Sequence, residues 1–567
     1  MSSLDEDGRQ APAMLLVSLL ALTTFAGLFV FRSLDDNRLT SWQWAFAGTD
    51  IVPMFAIVAI GVALAYLISA VSPPASGRVA GLFVSSFAAA ALFWGAPEVI
   101  VDAARYFLQA KHLELHGVGS FLGQWGESIA AWTDLPLIPF LHGLAFTLFG
   151  ETRLALQAIT TLLFAATAVV TYLTGRTLWD ETVGGVAGVL LLGMPFLLTQ
   201  PALMLVDVPT MFFLTLAVFT TIKAVRDGGA GFLAAAPAAI VLAMLSKYST
   251  WVMLSVLPVI VVVHLGHDQR AVIRRAALVA LATLLLAGTA ILLKFEVVAA
   301  QIELLWVYQM PGLSRWGESH VSTFLFQTHP FVSVAALASV FIAIARRDAR
   351  YAIICWMLLL VMVLGVKRSR YILVTLPMLA LMAGYALREI SNGRVRRFIV
   401  ISAVASALAT AAFGYLPLLK RTSAVNLMLA GAHLDSMDVE RVEVHVLPQT
   451  RSIINPAVSV PILDLFTQKR ILYRAGAVSP PPAALIATSP LRFTWEMEAP
   501  PYLLSDSGKP QAKDTADAAL VVIASREDQP LPEAIAARIS GRRLSGEFAV
   551  SDRIFRYKTI VRIYGPR

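Results

Sequence analysis

The sequence is short of charge, has one cysteine, and contains no glycine-rich loop of the kind that cradles a nucleotide. Only 14% of its 567 residues are charged, against roughly 25% in soluble domains, while 57% are hydrophobic. Those values, with a mean hydropathy of +0.71, exclude a soluble globular chain. The lone Cys355 sits in an apolar run, so no intramolecular disulfide can brace a domain outside the membrane; this favours a bacterial or archaeal membrane over a secretory one. Neither G-x-G-x-x-G nor a P-loop is present, so nothing in the sequence suits a nucleotide-bound substrate. Residues 1–13 carry Asp5, Glu6 and Asp7 and lack a basic leading region, so the next apolar run reads as an anchor rather than a cleaved signal. There is no internal repeat and no low-complexity segment.

What is abundant is apolar sequence in runs of about 17–23 residues, the length that crosses a hydrocarbon core. Thirteen such segments are read near 14–32, 51–72, 79–96, 153–175, 183–201, 208–226, 231–246, 250–266, 275–294, 330–346, 351–366, 371–387 and 398–418. A net charge of +8 does not point to nucleic acid, because the basic residues cluster in short loops, such as Arg270/Arg274/Arg275, Arg346/Arg347/Arg350 and Arg394/Arg396/Arg397. This is the positive-inside pattern. It predicts a cytoplasmic N-terminus, with long loops 97–152 and 295–329 and the tail after 419 outside. Leu135–Phe149 is too short for a confident span and reads as a juxtamembrane helix of the first outer loop. The tail has short β-rich runs at Val442–Leu447, Ile471–Tyr473, Leu520–Ile523 and Lys558–Tyr564, with a helix at Pro532–Ile539, which predicts a small extracytoplasmic α/β domain. Three regions are expected: an extra helix pair over 1–78, a transmembrane core over 79–418, and the α/β domain over 419–567.

Ionisable residues at membrane depth usually line a cavity or a reaction path. Asp102 opens the first outer loop, and Glu98 lies four residues earlier, on the same face if the segment is helical. A carboxylate there could take a proton from an acceptor hydroxyl, or it could simply cap a helix. Asp207 stands alone between two apolar spans. Lys247 and the run Lys367-Arg368-Ser369-Arg370-Tyr371 break the positive-inside pattern. Cations at the outer face suit a lipid-linked phosphate, although snorkelling to ordinary headgroups would explain them too. The loop from Trp306 to His329, with Tyr308, Arg315, Trp316, Glu318 and His320, has aromatics that fit either an interfacial belt or a sugar platform. No ligand-spaced cluster requires a metal, though the Asp102 and Asp207 carboxylates could hold a divalent ion.

Taken in order, Asp102-Ala-Ala-Arg-Tyr106, Trp132-Thr-Asp-Leu-Pro-Leu137, Leu148-Phe-Gly150, Thr174-Gly-Arg176, Asp207, Ser246-Lys-Tyr248 and Arg368-Ser-Arg-Tyr371 before Leu376-Pro377 resemble the dolichyl-phosphate-mannose–protein mannosyltransferase-like family, glycosyltransferase family 39. That family includes the bacterial aminoarabinose transferase of lipid A. The resemblance covers roughly residues 80–390. It implies a GT-C fold: an all-α polytopic membrane protein of about 13 spans, here with the α/β domain appended. It also implies inverting transfer from a polyprenyl-phosphate sugar to a glycan, lipid or protein acceptor at the extracytoplasmic face. In that scheme Asp102, with Glu98 nearby, serves as base. Lys247, Arg368 and Arg370, with Lys367 and Tyr371, meet the donor phosphate, and Asp207 holds the sugar, the acceptor or another loop. Asp134, Tyr106, Tyr248, Tyr308 and His329 fall on the substrate side.

Two departures stand out. The family's Asp-Glu pair reads Asp102-Ala103, so either Glu98 supplies the second carboxylate or that role is absent. The usual Pro-Pro reads Leu135-Pro136, preceded by Asp134. The rival readings are an inactive scaffold or sensor that kept the fold, and a lipid or sugar transporter. A transporter would place charges in mid-span and repeat its halves, which this sequence does not.

Overall fold

The structure, a computed structural model, describes residues 3–37, 41–45, 50–71, 77–97, 101–131, 134–266, 268–310, 317–420, 424–447, 456–473, 517–550 and 559–566. Within these, 3–9, 45, 101, 308–309 and 456–457 are described by their backbone alone.

In chain order the main helices begin with α1 (Ser3–Val30), α2 (Ile51–Ser69), α3 (Arg78–Ala91), α4 (Val101–Gln124) and α5 (Leu137–Phe149). They continue with α6 (Arg153–Leu178), α7 (Glu181–Leu190), α8 (Asp207–Arg226), α9 (Ala230–Ser246), α10 (Val256–His264) and α11 (Gln269–Leu293). After them come α12 (Pro330–Arg346), α13 (Tyr351–Val363), α14 (Leu376–Leu387) and α15 (Gly393–Ala409). The tail contains α16 (Val425–Ser436), β1 (Arg441–Val446), α17 (Pro456–Leu465), β2 (Arg470–Tyr473), β3 (Ala519–Ala524), α18 (Glu533–Ile539), β4 (Leu544–Phe548) and β5 (Ile560–Tyr564).

Each of the thirteen apolar segments is mainly helical over its described residues. Among the described residues seven helices are long and apolar enough to cross a membrane, or eight if the bent pair Glu181–Gly193 and Pro195–Leu203 is one span. That pair bends by 67°, where Pro195 follows the break and Pro201 opens the next turn. Shorter apolar helices, including Leu137–Phe149, Pro330–Arg346 and Tyr351–Val363, fill out the set. The chain is an integral membrane protein.

The chain divides into two compact units. The first comprises Met1–Trp94, Ala131–Leu137 and Ile159–Leu416. At its centre α8 and the stretch Ser369–Leu387 are 78% and 89% buried over their apolar windows, whereas Gln269–Leu293 is only 11% buried and faces outward. Small residues let the central helices approach. A Cβ on Gly184 would lie 2.3 Å from the Tyr172 carbonyl oxygen, and one on Gly175 would lie 2.7 Å from Gly184 Cα. Gly188, one turn on, meets Ala168 and Tyr172 of α6, while Gly384 of α14 packs on Val183 and Ala187. Helix α7 is thus held between α6 and α14 by small residues at four-residue spacing, the packing that lipid-embedded helices favour.

The second unit comprises Gly95–Ala130, Ile138–Ala158 and Pro417–Arg567. Gly143 of α5 lies against Leu113 and Ala110 of α4, where an added Cβ would come within 2.8 Å of the Ala110 carbonyl oxygen. Lys111 of α4 pairs with Glu151 at 2.7 Å and also with Asp464 of α17. Burial, reinforced by Asp464, raises the pKa of Glu151. The sheet runs β2-β1-β3-β5-β4, with β2, β1 and β3 parallel and β5 and β4 antiparallel. Leu447, Leu520, Val522, Ala524 and Ile560 form a core against Leu531 and, from α18, Ile535 and Ile539. On that face Arg538 of α18 bonds the buried Glu443 at 2.6 Å. The expected tail strands are present, and β4 is an additional one.

Candidate functional site

In the first unit Asp207 occupies the first turn of α8, where the helix dipole favours a carboxylate. Its side chain is 1% exposed, and each oxygen has its own cation: Lys247 Nζ at 2.6 Å and Arg370 Nε at 2.6 Å. Three separate segments therefore meet on one carboxylate. Lys247 is the extended residue that ends α9. The break there is fixed by Thr250 Oγ1, which donates to the Lys247 and Ala243 carbonyls, and by Trp251 Nε1, which donates to Met244 O at 3.0 Å. Arg370 lies in a short helical turn, Ser369–Ile372, that leads into α14. Tyr371 joins the group, with Lys247 Nζ 5.0 Å and Arg368 Cζ 5.2 Å from its ring centroid, within cation–π range. Asp207, Lys247, Arg368, Arg370 and Tyr371 thus form one cluster in which three cationic side chains gather around a buried carboxylate.

A polar collar supports the cluster from the loop singled out at Trp306–His329 and from residues 35–42, which the sequence reading left out. Glu318 accepts from the Ser369 N–H at 3.1 Å and faces Arg368. Asn37 Nδ2 lies 3.4 Å from Ser369 Oγ. Buried Asp35 accepts from Ser322 Oγ at 2.6 Å, Gln327 Nε2 at 2.8 Å and the Trp42 N–H. The only sequence signal was the polar run Asp35-Asp36-Asn37 between two spans. Burial pushes Glu318 up to about 7 against the pull of Arg368, and pushes Asp35 up to about 6. A carboxyl whose pKa is higher in the folded than in the unfolded state favours folding at low pH and loses that contribution as pH rises through the folded value. The contribution of Glu318 is therefore expected to fall between about pH 4.5 and pH 7. Glu318→Gln should lose less melting temperature than the native protein across that window; an identical profile would refute this assignment.

The other predicted residues are placed as follows. Lys367 is exposed, and Tyr248 is half-buried next to Lys247. Asp134 is buried, and its carbonyl accepts from Gln301 Nε2. His329 is the N-cap of α12, accepting from the Phe331 N–H and lying 2.8 Å from Ser406 Oγ. Asp102 and Tyr106 lie in the first two turns of α4, in the second unit; Asp102 is half-buried and Tyr106 buried beneath the Arg105 guanidinium. Glu98, Trp132, Arg315 and Trp316 lie outside the described residues, as does the side chain of Tyr308. Among the described residues no group of three or more His, Cys, Asp or Glu side chains is placed to share a metal ion.

A helical membrane unit of this architecture, with an α/β tail, defines a GT-C fold. ArnT from Cupriavidus metallidurans bound to undecaprenyl phosphate superposes with a TM-score of 0.57 at 12% identity, covering 86% of this chain and 98% of that one. Its apo form gives 0.53 at the same identity and coverage. At such identity the likeness is one of fold. The Archaeoglobus fulgidus oligosaccharyltransferase is also similar, at a TM-score of 0.45 and 12% identity, over 68% of this chain and 63% of that one. A sequence model described as dolichyl-phosphate-mannose-protein mannosyltransferase matches residues 134–295, a stretch that contains Asp207 and Lys247. The family resemblance carried by the ordered motifs is therefore also present in an independent sequence comparison. No curated protein sequence matches the chain.

Proposed function

We propose that the protein transfers a sugar from a polyprenyl-phosphate carrier to an acceptor on the extracytoplasmic face, with inversion at the anomeric carbon. The observation that carries this reading is the Asp207–Lys247–Arg370 cluster with Arg368 and Tyr371, which gathers cationic donors at the helix ends where a lipid phosphate would lie. In the reaction the acceptor oxygen forms a bond to the anomeric carbon as the bond from that carbon to the phosphate oxygen breaks. The electron pair leaves with the polyprenyl phosphate, and Lys247, Arg368 and Arg370 stabilise the developing charge. Asp207 acts through the two cations that it positions. Asp102 takes the acceptor proton, and Asp134, Tyr106 and Tyr248 belong to the substrate side. The cytoplasmic side is assigned by the arginine-rich connectors, with the tail outside. The undecaprenyl phosphate held by the similarly folded ArnT supports a carrier of that class.

The test is transfer in vesicles loaded with a panel of radiolabelled polyprenyl-phosphate sugars. Native protein should pass label to an endogenous acceptor, and Asp102→Asn should lower the rate about 10²–10⁴-fold while inserting normally. Equal rates would remove Asp102 from the mechanism. No transfer from any donor by folded native protein would favour the inactive scaffold, for which Ala103 in place of the family's acidic residue is the best argument.

A further inference from the structure

The first unit has a second cationic site, remote from the cluster. Helix α8 begins at Asp207 and ends at Arg226, and the stretch that contains Arg370 ends at Leu387, with Arg388 as its cap. Twenty helical residues span about 30 Å, so these far ends lie on the opposite side of the hydrocarbon core. There a cavity of about 840 Å³ opens, and among its described lining residues five are arginines (Arg226, Arg346, Arg347, Arg350 and Arg388) and one, Asp348, is acidic.

Not all of these arginines are available to a ligand. Arg350 is engaged by Asp348 and the Leu178 carbonyl, and Arg226 by Asp227 and the Thr177 carbonyl; both brace helix ends as part of the wall. The remaining three differ. Arg388 reaches Asp180 and Glu389 only at 3.4 and 3.6 Å and lies over the Tyr385 ring, and Arg346, though exposed, is ion-paired with Glu389. Arg347 is exposed, holds a left-handed backbone (φ 53°) at the end of α12, and has no ion pair among the described residues. Carbonyl capping and the Glu389 pair therefore account for three arginines and leave Arg347 and the loosely held Arg388 facing a cavity far larger than a simple cap needs.

We propose that this cavity binds the phosphate-bearing headgroup of an anionic phospholipid in the leaflet opposite the Asp207 cluster. The cavity lies where α6, α8, α10, α12 and α14 end, which is the depth of lipid phosphates. Basic pockets between membrane helices on the cytoplasmic side are suited to such headgroups. The Trp179 indole, also in the lining, supplies an interfacial ring and donates to Asp348 at 2.8 Å.

The experiment is native mass spectrometry of the full-length protein titrated with cardiolipin, phosphatidylglycerol or phosphatidylcholine, and separately with inorganic phosphate and pyrophosphate. The two anionic lipids should bind, and the Arg346→Gln/Arg347→Gln double variant should weaken them about thirtyfold, as loss of two cations near a membrane surface predicts. Arg347→Gln alone, which removes no ion pair, should weaken them about fivefold at unchanged melting temperature. Equal binding of phosphatidylcholine, or unaltered lipid binding by both variants, would overturn the proposal. Soluble phosphate or pyrophosphate displacing the lipid would overturn the lipid assignment in favour of a soluble anion.

Discussion

Asp207→Ala is expected to cost about 3–5 kcal/mol of stability, because it strands Lys247 and Arg370 without their shared counter-charge in a buried site. Transfer should fall by at least about 10²–10³-fold, the loss typical of removing one preorganised donor at a developing oxyanion. The two effects can be separated. Adding Lys247→Met to Asp207→Ala removes one of the two stranded cations, so part of the melting temperature should return. Activity should not, since the phosphate would still lack a properly held cation. If the double variant regained transfer along with stability, Asp207 would have only a structural role. If Asp207→Ala were as stable as the native protein, the buried pairing itself would be wrong.

The second large effect is purely one of packing. Gly184→Leu should prevent folding, because even a Cβ at this position would sit 2.3 Å from the Tyr172 carbonyl oxygen and 2.9 Å from the Arg176 nitrogen. Backbone atoms cannot rotate away, so α6 and α7 would have to separate, and overpacking of this kind costs at least about 1–3 kcal/mol. The adjacent Gly185 is the control. A Cβ there meets nothing within 4 Å, and alanine should gain up to about 1 kcal/mol of helix propensity. Detergent-solubilised yield and melting temperature should therefore move in opposite directions for these two neighbours. Comparable behaviour of Gly184→Ala and Gly185→Ala would contradict the close crossing.

Much of this architecture was legible from the sequence because hydrophobic run length is a strong signal in a membrane protein. Pro330–Arg346 matches its expected segment end to end, since Pro330 starts the helix and the arginine pair ends it. The parallel strands of the tail were legible as short β-branched runs. By contrast β4, Leu544-Ser-Gly-Glu-Phe548, is polar at alternate positions and contains a glycine, so it gave little strand signal. The cationic cluster was legible because Lys247, Arg368 and Arg370 stand where the charge pattern forbids them.

The pairings were not legible. Nothing local says that Asp207 will meet residues 40 and 163 positions away, or that Asp35 will brace a loop 287 positions later. Those contacts are decided by helix packing, which one sequence does not encode in any window. The same limit hid the Lys111–Asp464 pair, 353 residues apart, and the cavity at the far ends of the central helices.

The central claim is that Lys247, Arg368 and Arg370 hold the phosphate of a polyprenyl carrier. The most direct measurement is equilibrium binding of undecaprenyl phosphate to the purified full-length protein, comparing the native chain with Arg368→Gln. This variant leaves both partners of Asp207 in place but removes the cation that faces buried Glu318, so affinities are compared at a temperature where both proteins are folded. Binding should weaken about 10-fold or more, as expected for loss of one charge-assisted phosphate contact. Equal affinity in two equally folded proteins would contradict the account and move the carrier phosphate elsewhere.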